Sequence, residues 1–305
     1  MIYPSKNIPK PAMQLVVLFA MTVGAMLLGT IIAIILVGTV YGFNSITDIA
    51  AANISNPGEL WIMQLTSGTI PMFAAPVIFA IAVVKEPKEY LKAYKWLPIT
   101  LIALTFGIMF SSMAIMEMLS NLNEKILSAD FLKGFADWAR EREDSVSKML
   151  ESLLQMDTIG EMLLNLLLIG LLTAIAEEFL FRGCLQTIFT RWTGNIHAAI
   201  WITAIIFSAF HMQFFGFLPR LGLGLLFGYL VAWSGNIWAG VWAHFINNGT
   251  AVVVTYLYQH KKINIRPDDQ HVFNYKAYIV SVIFVLFLLM VFKRLAQGIK
   301  KIPAQ

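Results

Sequence analysis

Charge and cysteine are what this sequence has least of. Asp, Glu, Lys and Arg make up only 13% of its 305 residues, about half the ~25% of a soluble domain. That composition excludes a soluble globular fold. The single cysteine, Cys184, excludes a disulfide framework and any cysteine-based zinc site. Within its apolar run it reads as a small core residue. No HExxH pair is present, so the usual helix-borne zinc-protease motif is missing. Alternating segments of about ten residues, the mark of a transmembrane β-barrel, are missing too. No polar positions match between two halves, which argues against the repeat architecture of transporters. The net charge of +4 and pI near 9.1 do not indicate a nucleic-acid partner. The bases flank hydrophobic runs, as topology signals do.

What is present is apolar. Hydrophobic residues reach 58% and mean hydropathy is +0.71. Eight hydrophobic segments run over 12–42, 60–84, 96–119, 159–191, 196–215, 218–234, 237–258 and 273–295. Several exceed the roughly 18 uncharged residues that mark a membrane-spanning helix. The expected fold is therefore all-α, a polytopic transmembrane bundle of about eight spans. The first run is too long for a signal-peptide core and no cleavage pattern follows it, so it is expected to remain as a span. Gly224 and Gly228 in the sixth segment have the small-xxx-small spacing that permits close helix approach.

The chain divides into N-terminal membrane helices (1–120), a polar connector (121–158), a transmembrane core (159–258), and a last loop, final span and basic tail (259–305). The connector holds eight acids and five bases. Phe131, Phe135 and Trp138 recur in it at helical spacing, as do Met149, Leu150, Leu153 and Leu154. It reads as amphipathic helix outside the bilayer or on its surface, a solvated connector before it is a lid. Lys6 and Lys10, then Lys85, Lys88, Lys92 and Lys95, then Lys293, Arg294, Lys300 and Lys301 fall on one side if there are eight spans. That side is expected to be the cytoplasm, although Lys261, Lys262 and Arg266 fall opposite it.

Ionisable groups deep in a membrane are costly and by default functional. Here they are Glu177, Glu178 and Arg182 in the fourth segment, His211 in the fifth and His244 in the seventh, with the amides Asn247 and Asn248. Glu178 and Arg182, at i and i+4, share a helix face and are expected to pair structurally. Glu177 points about 100° away and is the spare carboxylate. Counting from the turn near Gly194, Glu177 and His211 each lie 17 residues away, about 25 Å along ideal helices. Counting from the turn near 216–219, His211 lies about 10 Å down and His244 about 14 Å down. Glu177, His211 and His244 are thus expected at one depth, with Asn248 one turn from His244 on the same face.

Such a cluster could draw a proton from water and make a nucleophile inside the bilayer, with His244 and Asn248 donating to an oxyanion. Alternatively, Glu177, His211 and His244 supply ligands suited to zinc with an open fourth position. Taken singly, each histidine is more often just a hydrogen-bonded core group. Phe207, one turn before His211, reads as core packing.

Three motifs then resemble a known family. Glu177-Glu178-Phe179-Leu180-Phe181-Arg182 resembles EExxxR, Phe207-Ser208-Ala209-Phe210-His211 resembles FxxxH, and His244-Phe245-Ile246-Asn247-Asn248 resembles HxxxN. In that order on separate hydrophobic segments, they are similar to the CAAX protease and bacteriocin-processing (CPBP) family, which includes type II CAAX prenyl endopeptidases. The likeness covers about 160–258; the first 150 residues match by no motif. It implies a helical membrane fold with an intramembrane cavity and peptide-bond hydrolysis. It implies Glu177 as general base, His211 as its aid in activating water, and His244 and Asn248 as oxyanion donors, with Glu178, Arg182 and Phe207 in support. Both a zinc and a metal-free glutamate mechanism accord with it.

The expected protein is an intramembrane endopeptidase in a bacterial inner membrane with cytoplasmic termini. Its expected partners are the lipid bilayer and a membrane-associated or lipid-modified protein or peptide. The competing readings are a proton-coupled transporter and an inactive binding scaffold.

Overall fold

The computed structural model describes residues 8–50, 56–93, 96–267, 269 and 271–300. Lys6, Lys95 and Lys301 of the topology argument lie outside the described residues. Long helices dominate: α1 (Pro11–Val40), α2 (Pro57–Val84), α3 (Ile99–Leu127), α4 (Lys133–Leu153), α5 (Ile159–Thr193), α6 (Ile196–Phe210), α7 (Phe217–Ser234), α8 (Ile237–Gln259) and α9 (Tyr275–Lys300). The molecule is a polytopic helical bundle. Among the described residues six helices are long and apolar enough to cross a membrane: α1, α2, α3, α5, α7 with its leading turn, and α9.

The other two hydrophobic segments differ for separate reasons. Helix α6 has 15 residues, about 22 Å, short of the ~30 Å hydrocarbon core. Helix α8 has 23 residues, but His244, Asn247 and Asn248 lower its hydropathy. The side chains that make α8 a poor span are those singled out for chemistry.

Local sequence explains the turns. Thr158 and Glu161 form a reciprocal capping box at the start of α5. Gly194 ends α5 with φ 65°, and the Asn195 side chain accepts from the backbone N–H groups of His197 and Ala198. The pair makes the tight α5–α6 turn from which depth was counted. Gly235 and Asn236 repeat this device between α7 and α8.

Apolar side chains of α1 and α9 such as Phe19, Ile31, Ile283 and Phe287 face outward, while Gln14, Thr105, Asn165 and Arg182 are buried. That arrangement suits a lipid surround. Two packed clusters fill the interior. One joins α1, α2 and α5 through Leu18, Phe79 and Phe181; the other joins α3, α7 and α9 through Ile108, Phe227 and Phe292. Gly224 and Gly228 bring α7 against its neighbours. A Cβ on Gly228 would sit 2.8 Å from Ile200 Cγ2, and one on Gly224 would sit 3.2 Å from Ala204 Cα. The glycine pair therefore serves close helix approach.

Helix α3 continues to Leu127, beyond the segment boundary at 119, and carries Asn123 into the bundle. The connector forms the amphipathic helix α4, whose inward stripe includes Ala136, Ala139 and Leu153. It lies over the end of the bundle that holds the α6–α7 turn.

Candidate active site

Helix α5 carries most of the ionisable groups and is not a regular α-helix. Its stretches Leu166–Leu172 and Phe179–Leu185 are π-helical and flank Glu177 and Glu178. Such turns take backbone groups out of i→i+4 register and recur at functional sites. Here the Ile169 carbonyl accepts a hydrogen bond from Asn248 Nδ2 at 3.2 Å.

Glu178 and Arg182 form the expected ion pair, Nη1 to Oε1 at 2.6 Å, with both side chains fully buried. Arg182 Nη2 also donates to the Gly224 carbonyl at 3.2 Å. The guanidinium lies 4.4 Å from the Phe207 ring centre and 5.2 Å from that of Phe227, at cation–π distance. Phe207 belongs to one packed cluster and Phe227 to the other, so the arginine sits at their junction.

Glu177, His211 and His244 come together as the depth count expected. Glu177 Oε2 lies 3.9 Å from His211 Nε2 and 3.8 Å from His244 Nε2. This oxygen is buried and has no hydrogen-bond partner among the described residues. Each imidazole is held from behind by its other nitrogen. His211 Nδ1 is 2.9 Å from the Phe207 carbonyl, and His244 Nδ1 is 3.0 Å from Glu178 Oε1. A carbonyl and an ionised carboxylate only accept, so both Nδ1 atoms carry a proton; with both rings neutral, each would turn a lone pair at Nε2 toward Glu177. Phe227 stacks on the His244 ring, centroids 5.1 Å apart, and the Phe207 edge meets both rings at 5.0 and 5.9 Å.

Three acceptors thus converge with no donor between them. Water offers only two protons, so the centre requires one more proton or a cation. The donor set suits zinc, but the spacing does not. Ligands of tetrahedral zinc at ~2.0 Å stand about 3.3 Å apart, half an ångström closer than these. Among the described residues no trio of His, Cys, Asp or Glu reaches metal-ligand spacing. A water hydrogen-bonded at about 2.8–3.0 Å accommodates the observed distances.

Asn248 stands one turn along α8 from His244. Besides its bond to Ile169, its Oδ1 accepts from Asn247 Nδ2 at 3.2 Å. One of its own N–H groups therefore remains to donate. A cavity of about 580 Å³ lies elsewhere, between α3, α8 and the residues around Ile263, Arg266 and Phe273, and is lined in part by Asn247.

Sequence reasoning missed Phe227 and Gly240. A Cβ on Gly240 would sit 2.6 Å from Glu178 Oε2. Gly240 is the i−4 neighbour of His244, a spacing that could have marked it.

Residues 159–250 match the family model described as type II CAAX prenyl endopeptidase Rce1-like. Over these residues the chain is similar to that family. All three motifs fall within the matched residues, which run from the start of α5 through most of α8. An uncharacterized protein of Bacillus subtilis (strain 168), YpbD, is 34% identical over 86 residues, 27% of this chain and 41% of that protein. The match thus spans less than half of either chain. No solved structure matches the chain.

Proposed function

We propose that this protein is an intramembrane endopeptidase that hydrolyses peptide bonds of membrane-associated or lipid-modified substrates. One observation carries the reading: a buried carboxylate oxygen of Glu177, without a hydrogen-bond partner among the described residues, facing the Nε2 atoms of two imidazoles held from behind. A buried polar atom left unpaired inside a span needs an explanation. A nucleophilic water supplies one. The similarity of the matched residues to an endopeptidase family supports the same reading.

The chemistry follows from the proton count. Glu177 Oε2 and His211 Nε2 accept the two protons of one water. His244 carries the additional proton at Nε2, and the Glu177 and Glu178 carboxylates together offset the charges of the imidazolium and Arg182. Glu177 takes a proton as the water oxygen attacks the peptide carbonyl carbon. The resulting oxyanion accepts from His244 Nε2–H and from the free N–H of Asn248. Glu177 then passes its proton to the departing amine. Arg182 neutralises Glu178 and anchors it to α7. The termini face the cytoplasm of a bacterial inner membrane in this reading.

A proton relay for transport would stagger its groups across the bilayer, whereas both imidazoles here lie within 4 Å of the one Glu177 oxygen. Purified protein in detergent, incubated with a library of membrane-protein peptides, tests the proposal. Cleavage by wild type that is absent in Glu177→Gln is expected. Equal cleavage by both would end it.

A further inference from the structure

Resting on the reading of His211 as part of the reacting centre, we propose that Glu143 of α4 and Arg220 of α7 are positioning residues that aim its imidazole. His211 is the C-cap residue of α6, and the chain leaves it through Met212 with φ 54°. Left-handed backbone is unfavourable for a non-glycine residue and persists only where the surroundings enforce it. Here three helices do so. From α3, Asn123 Nδ2 donates to the Phe214 and Phe215 carbonyls at 2.8 and 2.9 Å, and its Oδ1 accepts from Leu218 N–H at 3.0 Å. From α7, Arg220 Nη1 and Nη2 donate to the backbone carbonyl and side-chain oxygen of Gln213, both at 2.7 Å. From α4, Glu143 accepts from Phe215 N–H at 3.3 Å and from Gln213 Nε2 at 3.5 Å.

Glu143 is the unexpected member. It lies half-buried on the inward stripe of α4, between Ala139 and Leu153, where an apolar residue would pack more simply. Around it, Phe135 and Trp138 meet the Phe214 ring at 5.1 and 5.6 Å, and the Arg140 guanidinium lies 4.4 Å from the Phe215 ring centre. The connector is therefore fastened to the segment that immediately follows His211. Arg220 has Glu143, Glu177 and His211 within electrostatic range, so the clamp borders the reacting groups.

The test reads His211 directly. Full-length protein in detergent is treated with diethyl pyrocarbonate, and modification of His211 is followed by peptide mass spectrometry. Exposed His197, near the opposite turn, is the internal control. Glu143→Ala and Arg220→Lys are expected to speed His211 modification several-fold with His197 unchanged. Glu143→Gln keeps an acceptor for Phe215 N–H and is expected to stay near wild type. On a cleaved peptide, Glu143→Ala lowers kcat with little change in KM. Unchanged His211 reactivity in both Glu143→Ala and Arg220→Lys would overturn the proposal, as would equal effects of Glu143→Ala and Glu143→Gln. If wild type cleaves nothing, the endopeptidase reading fails while the modification rates still decide the positioning role.

Discussion

Glu178 Oε1 lies 3.0 Å from His244 Nδ1 and simultaneously takes the Arg182 guanidinium at 2.6 Å. One buried carboxylate thus fixes a histidine and compensates an arginine, and both contacts meet on a single oxygen. Removing the arginine strands that carboxylate. Breaking one side of a buried pair costs roughly 3–5 kcal/mol. Arg182→Ala should therefore express poorly and melt at a lower temperature, measured by thermal unfolding in detergent. A wild-type melting profile would contradict the buried pair.

Glu177→Gln should separate stability from activity. The amide of the glutamine can donate to an Nε2 lone pair that the carboxylate cannot satisfy. Melting temperature should hold or rise slightly, because a functional site often carries unsatisfied groups at the expense of stability. Turnover should fall by about 10²–10⁴-fold, as on losing a general base. His211→Ala should show a comparable loss without the gain in stability. Paired melting curves and peptide-cleavage rates check both.

Gly240 offers a steric test. A Cβ there would lie 2.6 Å from Glu178 Oε2 and 2.7 Å from Val231 Cγ2. Gly240→Ala must push the Glu178 carboxylate aside, disturbing both His244 and Arg182. Lower melting temperature and lower turnover are expected together. Gly134→Ala is the control, since its Cβ would meet nothing within 4 Å on α4. Gly134 lies in the first turn of α4, so alanine there should leave stability unchanged or raise it by less than the ~1 kcal/mol of a helix interior.

The parts legible from the sequence are those governed by position along one helix. The Glu178–Arg182 pair follows from i,i+4 spacing, and the common depth of Glu177, His211 and His244 follows from counting outward from turns near Gly194 and 216–219. The amphipathic connector was legible as a helix, but its contacts were not. Which face of α4 meets which loop depends on packing between helices, so Glu143 read as one acid among eight. Asn123 and Arg220 likewise gain their meaning from the path of the chain after Met212, which hydropathy does not encode. The π turns of α5 were hidden because an extra residue in a helical turn leaves an apolar run looking uniform. Asn248 shows the consequence: its spacing from His244 was readable, its bond to Ile169 was not.

The last prediction separates a protonated imidazole from a bound cation as the missing positive charge. The distances of 3.8 and 3.9 Å from Glu177 Oε2 to the two Nε2 atoms exceed by about half an ångström those expected between zinc ligands. The proton reading therefore predicts that cleavage survives exhaustive chelation and that elemental analysis of active protein finds zinc well below one per chain. It also predicts that Glu178→Gln, which removes the charge behind His244, lowers turnover more than it lowers melting temperature. Glutamine still offers an oxygen to His244 Nδ1–H but no longer stabilises the imidazolium. Near-stoichiometric zinc that disappears in His211→Ala, together with cleavage abolished by chelation and restored by zinc, would replace the protonated His244 by a metal ion held by Glu177, His211 and His244.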